Sequence, residues 1–193
     1  MPLVDETQGG RAGRGAFGRC LARTRRFGRN EDGVTAVEFG LVAVPFFALM
    51  FAILETAIIF FAGQALETAV GDAARLIRTG QAHEDGMSET EFKAAVCERV
   101  FDLFDCENGL NVDVRTSATF DSIDLGVPVD EDGNLITEDF DFQIGEAGDI
   151  VMVRTLYEWP VFINMLGNDL ANLGNGKHVL SATAVFKNEP FPW

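Results

Sequence analysis

Histidine is nearly missing from this chain. Its two copies, His83 and His178, have no Ser motif, Cys–His signature or zinc-ligand spacing beside them, so a hydrolytic triad and a zinc centre both lack their parts. Each is read as a surface residue. No Gly-rich phosphate cradle follows a strand. Bases are scarce too: 15 Lys and Arg stand against 30 Asp and Glu, and no basic surface with interleaved aromatics offers a nucleic-acid site. No enzyme, cofactor, metal or nucleic-acid partner is expected. The stretch 121–149 holds ten acids and no base. Within it, Asp130-Glu131-Asp132-Gly133-Asn134 approaches a calcium loop, but the sixth place, which needs Gly, is Leu135. A solvated acidic hairpin is the expectation there.

The charge that is present is unevenly placed. Residues 1–33 carry seven Arg against four acids, a formal +3, and residues 34–193 carry eight bases against 26 acids, a formal −18. Between the two lies a 24-residue apolar run, 39–62, broken only by Glu55 and Thr56. At 1.5 Å per residue it spans about 36 Å, enough to cross a bilayer core of about 30 Å with some tilt. It exceeds the apolar core of about 7 to 15 residues in a cleavable secretory signal. Adjacent Arg25 and Arg26 follow from the composition of an Arg-rich head and carry no twin-arginine weight. By the positive-inside rule the basic head stays in the cytoplasm and the acidic part goes out.

Glu38 is the unusual residue. A carboxylate at the mouth of an otherwise uncharged membrane helix is costly to bury. If a protease cut after Gly33, the new amine of Val34 would lie one helical turn from Glu38, on the same face, and the two charges could neutralise each other. Its bland counterpart is an interfacial acid among head groups with no role. The order Gly33-Val34-Thr35-Ala36-Val37-Glu38-Phe39 resembles the processing site of type IV prepilins. With Glu55, the stretch from Gln64-Ala65-Leu66 through Gly71-Asp72-Ala73-Ala74-Arg75, and the ending Phe186-Lys187-Asn188-Glu189-Pro190-Phe191, the chain resembles the TadE-like family. The likeness is specific over about 33–80, suggestive at the last ten residues and loose between them.

That resemblance implies a pseudopilin, or minor pilin, of a bacterial tight-adherence, type IV-like pilus. Gly33, Val34, Glu38 and Phe39 would form the site cut by a prepilin peptidase, and Glu38 and Glu55 would make subunit contacts. The implied partners are that peptidase, other pilins and pseudopilins, an inner-membrane assembly platform and membrane lipid. Residence is the bacterial inner membrane, single-pass, with a cytoplasmic N-terminus, a periplasmic C-terminal domain, and an extracellular pilus after assembly. The alternative is a signal-anchored periplasmic binding or adhesive domain that does not assemble. A pilin-like α+β fold is implied.

Local signals outline that fold. Residues 1–33 should be a disordered basic leader, 34–80 a transmembrane and stalk helix, and 81–193 a periplasmic or extracellular α+β domain. Beyond the apolar run, Leu66, Ala69, Val70, Ala73, Leu76 and Ile77 share one helical stripe, so the helix continues. Arg75 and Arg78 suit its last turn and Gly80 its left-handed end. Pro45 predicts a kink. Ser88-Glu89-Thr90-Glu91 is a capping box opening a second helix that should end between residues 103 and 105. Strands are expected at 111–120, 150–159 and 179–187, forming a short antiparallel sheet packed on the long helix. The middle strand should be partly covered on both faces. A hairpin is expected over 127–136, turned at Asp132-Gly133. Cys20 lies in the head; Cys97 and Cys106 both lie beyond the membrane, where an oxidising compartment permits a disulfide. Two buried thiols that never meet are the alternative. Pairing requires the helix at Cys97 to stop before Cys106, bringing their Cα atoms within about 7 Å.

Overall fold

The computed structural model describes residues 33–100, 104–106, 108–162 and 170–191. The basic leader lies outside them except for Gly33, as does Cys20. The chain falls into two compact units, one ending at Leu49 and the other beginning at Met50, both positions on the first helix.

That helix, α1, spans Val34–Arg78. It runs unbroken through Pro45, because one missing N–H leaves the rest of the helical ladder in place. None of its most apolar 18-residue stretch is buried, which separates it from the core helix of a soluble protein. By length and composition α1 can cross a membrane. Arg75 and Arg78 occupy its last turn, the Thr79 N–H donates to the Arg75 carbonyl at 3.0 Å, and Gly80 adopts φ +82°. A side chain at Gly80 would be strained in that conformation and would collide with the Phe191 ring.

A one-turn helix α2, Gln81–Glu84, leads to α3, Glu89–Cys97. Ser88 caps α3 through the full reciprocal box with Glu91. The helix stops at Cys97, well short of residues 103–105. Its apolar spacing continues through Val100, yet the chain turns at once, with the Arg99 guanidinium donating to the Ala95 carbonyl.

Three strands follow, β1 (Leu110–Ser117), β2 (Ile150–Pro160) and β3 (Lys177–Lys187), in antiparallel order β1-β2-β3. β1 ends three residues before the expected limit because residues 119–122 form a turn, with a 3-10 helix at Phe120–Ser122. The fold is α+β. One sheet face places Val112, Val114, Val151, Val153, Tyr157, Leu180 and Ala182 against the buried stripe of α1, from Ile59 through Leu66, Val70 and Ala73 to Ile77. Alanines at 62, 69, 73 and 74 are buried in the same stripe, and each fully buried Leu, Ile or Val side chain contributes about 1.5 to 3 kcal/mol. The opposite face of β2 is covered as well: Leu156 packs with Leu173 and Val179 beneath Val127, Leu135 and Phe140 of the acidic segment. Seven consecutive residues, Val151 to Tyr157, are therefore buried. Of the 127–136 hairpin, one bridge forms, Val129 to Leu135, turning at Gly133 with φ +79°.

Candidate functional site

Gly33 precedes the first residue of α1, and Val34, Glu38 and Phe39 are all exposed, Phe39 by 70%. Among the described residues, nothing lies within 4 Å of where a Gly33 side chain would sit. The Gly33–Val34 peptide thus lies at an uncovered helix entrance. Glu38, one turn inside, has no ion-pair partner among the described residues. Cleavage would put the Val34 ammonium at a helix N-terminus, where the macrodipole disfavours a cation and a carboxylate at i+4 offsets it.

Glu55 sits differently. It is the first buried residue of α1, 7% exposed, and its Oε1 accepts a hydrogen bond from the Phe162 N–H at 2.5 Å. A carboxylate in an apolar run is thereby engaged by backbone of its own chain, just after β2. The resemblance had assigned Glu55 to a contact between subunits.

Cys97 and Cys106 form a disulfide with their Cα atoms 6.0 Å apart. Nine further helical residues would hold them about 13 Å apart, so the early stop of α3 is what allows the bond.

One ionic network had no sequence forecast. Asp113 of β1 faces Arg154 of β2 in register. Asp113 is 0% and Arg154 6% exposed, their side chains meet at 2.7 Å, and Arg115 holds the second Asp113 oxygen, also at 2.7 Å. Arg154 further donates to the Gly126 carbonyl at 2.5 Å and lies over the Phe140 ring, while Arg115 donates to the Asp139 carbonyl. The acidic segment is clamped to the sheet by these two arginines. A cavity of about 330 Å³ lies beside them, lined by Thr116, Met152 and Asp139, but both guanidinium groups face committed partners. A charge within an otherwise apolar strand, Val-Met-Val-Arg-Thr-Leu, was the available signal.

In the turn at Asp130 the carboxylate accepts from the Asn134 and Asp132 backbone N–H groups and the Asn134 side chain. The Asn134 backbone bond above all holds its carboxyl below the usual range. These oxygens organise a turn. Among the described residues, no cluster of three or more potential metal ligands occurs. His83 lies partly exposed at the surface, where it meets Glu146 at 3.1 Å and the Phe191 ring, whereas His178 is half-buried with its Nδ1 2.6 Å from the Leu170 carbonyl.

The chain's end forms a strap. The Glu189 N–H donates to the Arg78 carbonyl at 2.9 Å, an orphan acceptor at the end of α1, and the side chains of those residues pair at 3.6 Å. Buried Asn188 donates to the carbonyls of Ile144 and Glu146, and Phe191 lies buried over Gly80.

A family model described as TadE-like protein matches residues 33–75, which take in the exposed Gly33 entrance, Glu38, Glu55 and most of α1. No curated protein matches the chain, and no solved structure does.

Proposed function

Starting from the match of residues 33–75 to the TadE-like family, we propose that this chain is a minor pilin of a bacterial tight-adherence, type IV-like pilus. A prepilin peptidase cuts after Gly33, the basic leader stays behind, and the mature chain begins at Val34. The observation that carries the reading is the pairing of an exposed Gly33–Val34 bond with an exposed Glu38 one turn along the same helix.

The steps follow from the charges. In the membrane the seven-Arg leader holds the N-terminus in the cytoplasm and the acidic domain outside. After cleavage that anchor is gone, and the Val34 ammonium meets the Glu38 carboxylate. Entry into an apolar bundle of helices then buries a neutralised pair, whereas an unpaired ammonium would cost several kcal/mol. The exposed apolar residues of α1 supply the bundle surface, and the other pilins and the assembly platform supply its neighbours. The chain acts as a structural subunit and carries out no catalysis; the arginines beside the cavity of about 330 Å³ serve to hold the acidic segment.

Glu38→Ala tests this. The variant should insert and fold as before yet be lost from pili recovered with the other pilins, and Glu38→Gln should fail likewise, since it keeps shape without charge. Cleaved, exported Glu38→Ala protein found in pili at wild-type amounts would reduce Glu38 to an interfacial acid and favour a signal-anchored domain that does not assemble.

A further inference from the structure

The Glu55–Phe162 hydrogen bond fixes the depth of a loop. The apolar run of α1 ends at Ala62, seven residues past Glu55, and an α-helix rises about 1.5 Å per residue. With the outer boundary of the bilayer core near the end of that run, Glu55 lies about 10 Å inside it. The N–H bonded to Glu55 belongs to Phe162, two residues past the end of β2. Phe162 therefore cannot stand clear of the bilayer while α1 spans it. Its side chain is also among the most exposed apolar groups of the molecule, 80% accessible, and exposed Ile58, Phe60 and Phe61 occupy neighbouring levels of α1.

The geometry points to a membrane-contact loop: Val161–Phe162 dips into the outer leaflet, with the Phe162 ring among the lipid chains next to the emerging helix. The occupant is lipid because the patch is continuous with the apolar span and lies at the level of its outer edge. The contact is apolar in character. Residues after Gly33 carry 26 acids against eight bases, so anionic head groups repel this domain, and the nearest base across the sheet end, Lys177, is already paired to Glu158 at 2.8 Å. Burial of the Glu55 carboxylate finds its reason here too, since the loop brings a backbone donor to a depth where water is scarce. Glu55 and the loop thereby fix how far the domain stands from the bilayer. This inference rests on α1 spanning the membrane and not on cleavage or assembly.

The test uses full-length protein carrying Cys20→Ser and Phe162→Cys, labelled at residue 162 with a nitrobenzoxadiazole fluorophore, with the disulfide intact, in phosphatidylcholine vesicles. The backbone N–H to Glu55 survives that substitution. Matched vesicles hold acyl chains brominated near the head group. Label at residue 162 should lose most of its emission to the brominated lipid and be shielded from aqueous iodide; label at Leu125→Cys, on the acidic segment, should behave oppositely. Phe47→Cys, inside the span, supplies the lipid-exposed reference. Quenching of residue 162 by iodide alone, with residue 47 quenched by bromine, would overturn the loop while leaving the span. Shielding of residue 162 from both quenchers would mean that a protein surface covers it, which also overturns the proposal. Failure at residue 47 would remove the span, and the loop with it.

Discussion

Asp113 is held by two arginines in a place water does not reach, which makes its removal costly in a way that its replacement together with Arg154 is not. Asp113→Ala leaves the Arg154 guanidinium buried with one partner gone and should destabilise the fold by about 3 to 5 kcal/mol. Asp113→Leu combined with Arg154→Met should cost less than Asp113→Ala alone, and urea titration of the three proteins decides it. A double variant at least as unstable as Asp113→Ala would show that the pair is not acting as one unit. Residues at this scale were unequally legible. Gly33 and Glu38 could be read because their relation is a spacing within one helix. Asp113 and Arg154 could not, since their meeting depends on the β1–β2 register, and the Glu55 partner lies 107 positions away along the chain.

Elements were legible where their signals are local. The α3 capping box, the end of α1 at Arg78 before a left-handed Gly80, and the alternation in β1 all depend on residues a few positions apart. The stop of α3 at Cys97 was not, because apolar spacing persists through Val100 and the constraint that overrides it is covalent. That bond closes a loop of sequence separation nine, and the chain-entropy estimate for such a loop is about 2 to 3 kcal/mol. Cys97→Ser with Cys106→Ser should lose that much in denaturant unfolding, and mass spectrometry of unreduced wild-type protein should find two hydrogens fewer than the fully reduced chain. The capping box adds a pH dependence. Hydrogen bonds from Ser88, its backbone N–H foremost, hold the exposed Glu91 carboxyl below its ordinary range. Its folded value lies below its unfolded one, so its contribution is present above the unfolded value and is lost as pH falls through the folded one. Thermal melts between neutral and strongly acid pH should show a shallower acid loss in Glu91→Gln than in wild type. Identical acid limbs would contradict it.

Across the whole molecule, the sheet, the stripe of α1 and the chain's end form one arrangement in which residues 186–191 close over the helix terminus. The strap could not be read from sequence, because its contacts reach Arg78 and Gly80 over a hundred positions back. Phe191→Ala opens a cavity over Gly80 and should lower stability by about 3 kcal/mol, seen as a lower Tm with the disulfide unchanged. In the proposed account, the division of charge on the two sides of α1 marks a basic leader that is shed and an acidic domain that is carried out. Everything proposed for this chain as a pilin passes through one bond, Gly33–Val34. N-terminal sequencing of the protein purified from the membranes of cells that carry its pilus genes tests that bond directly. The account predicts a mature chain reading Val-Thr-Ala-Val-Glu-Phe, and a chain that reads from Met1, or from any residue beyond Ala62, would contradict it.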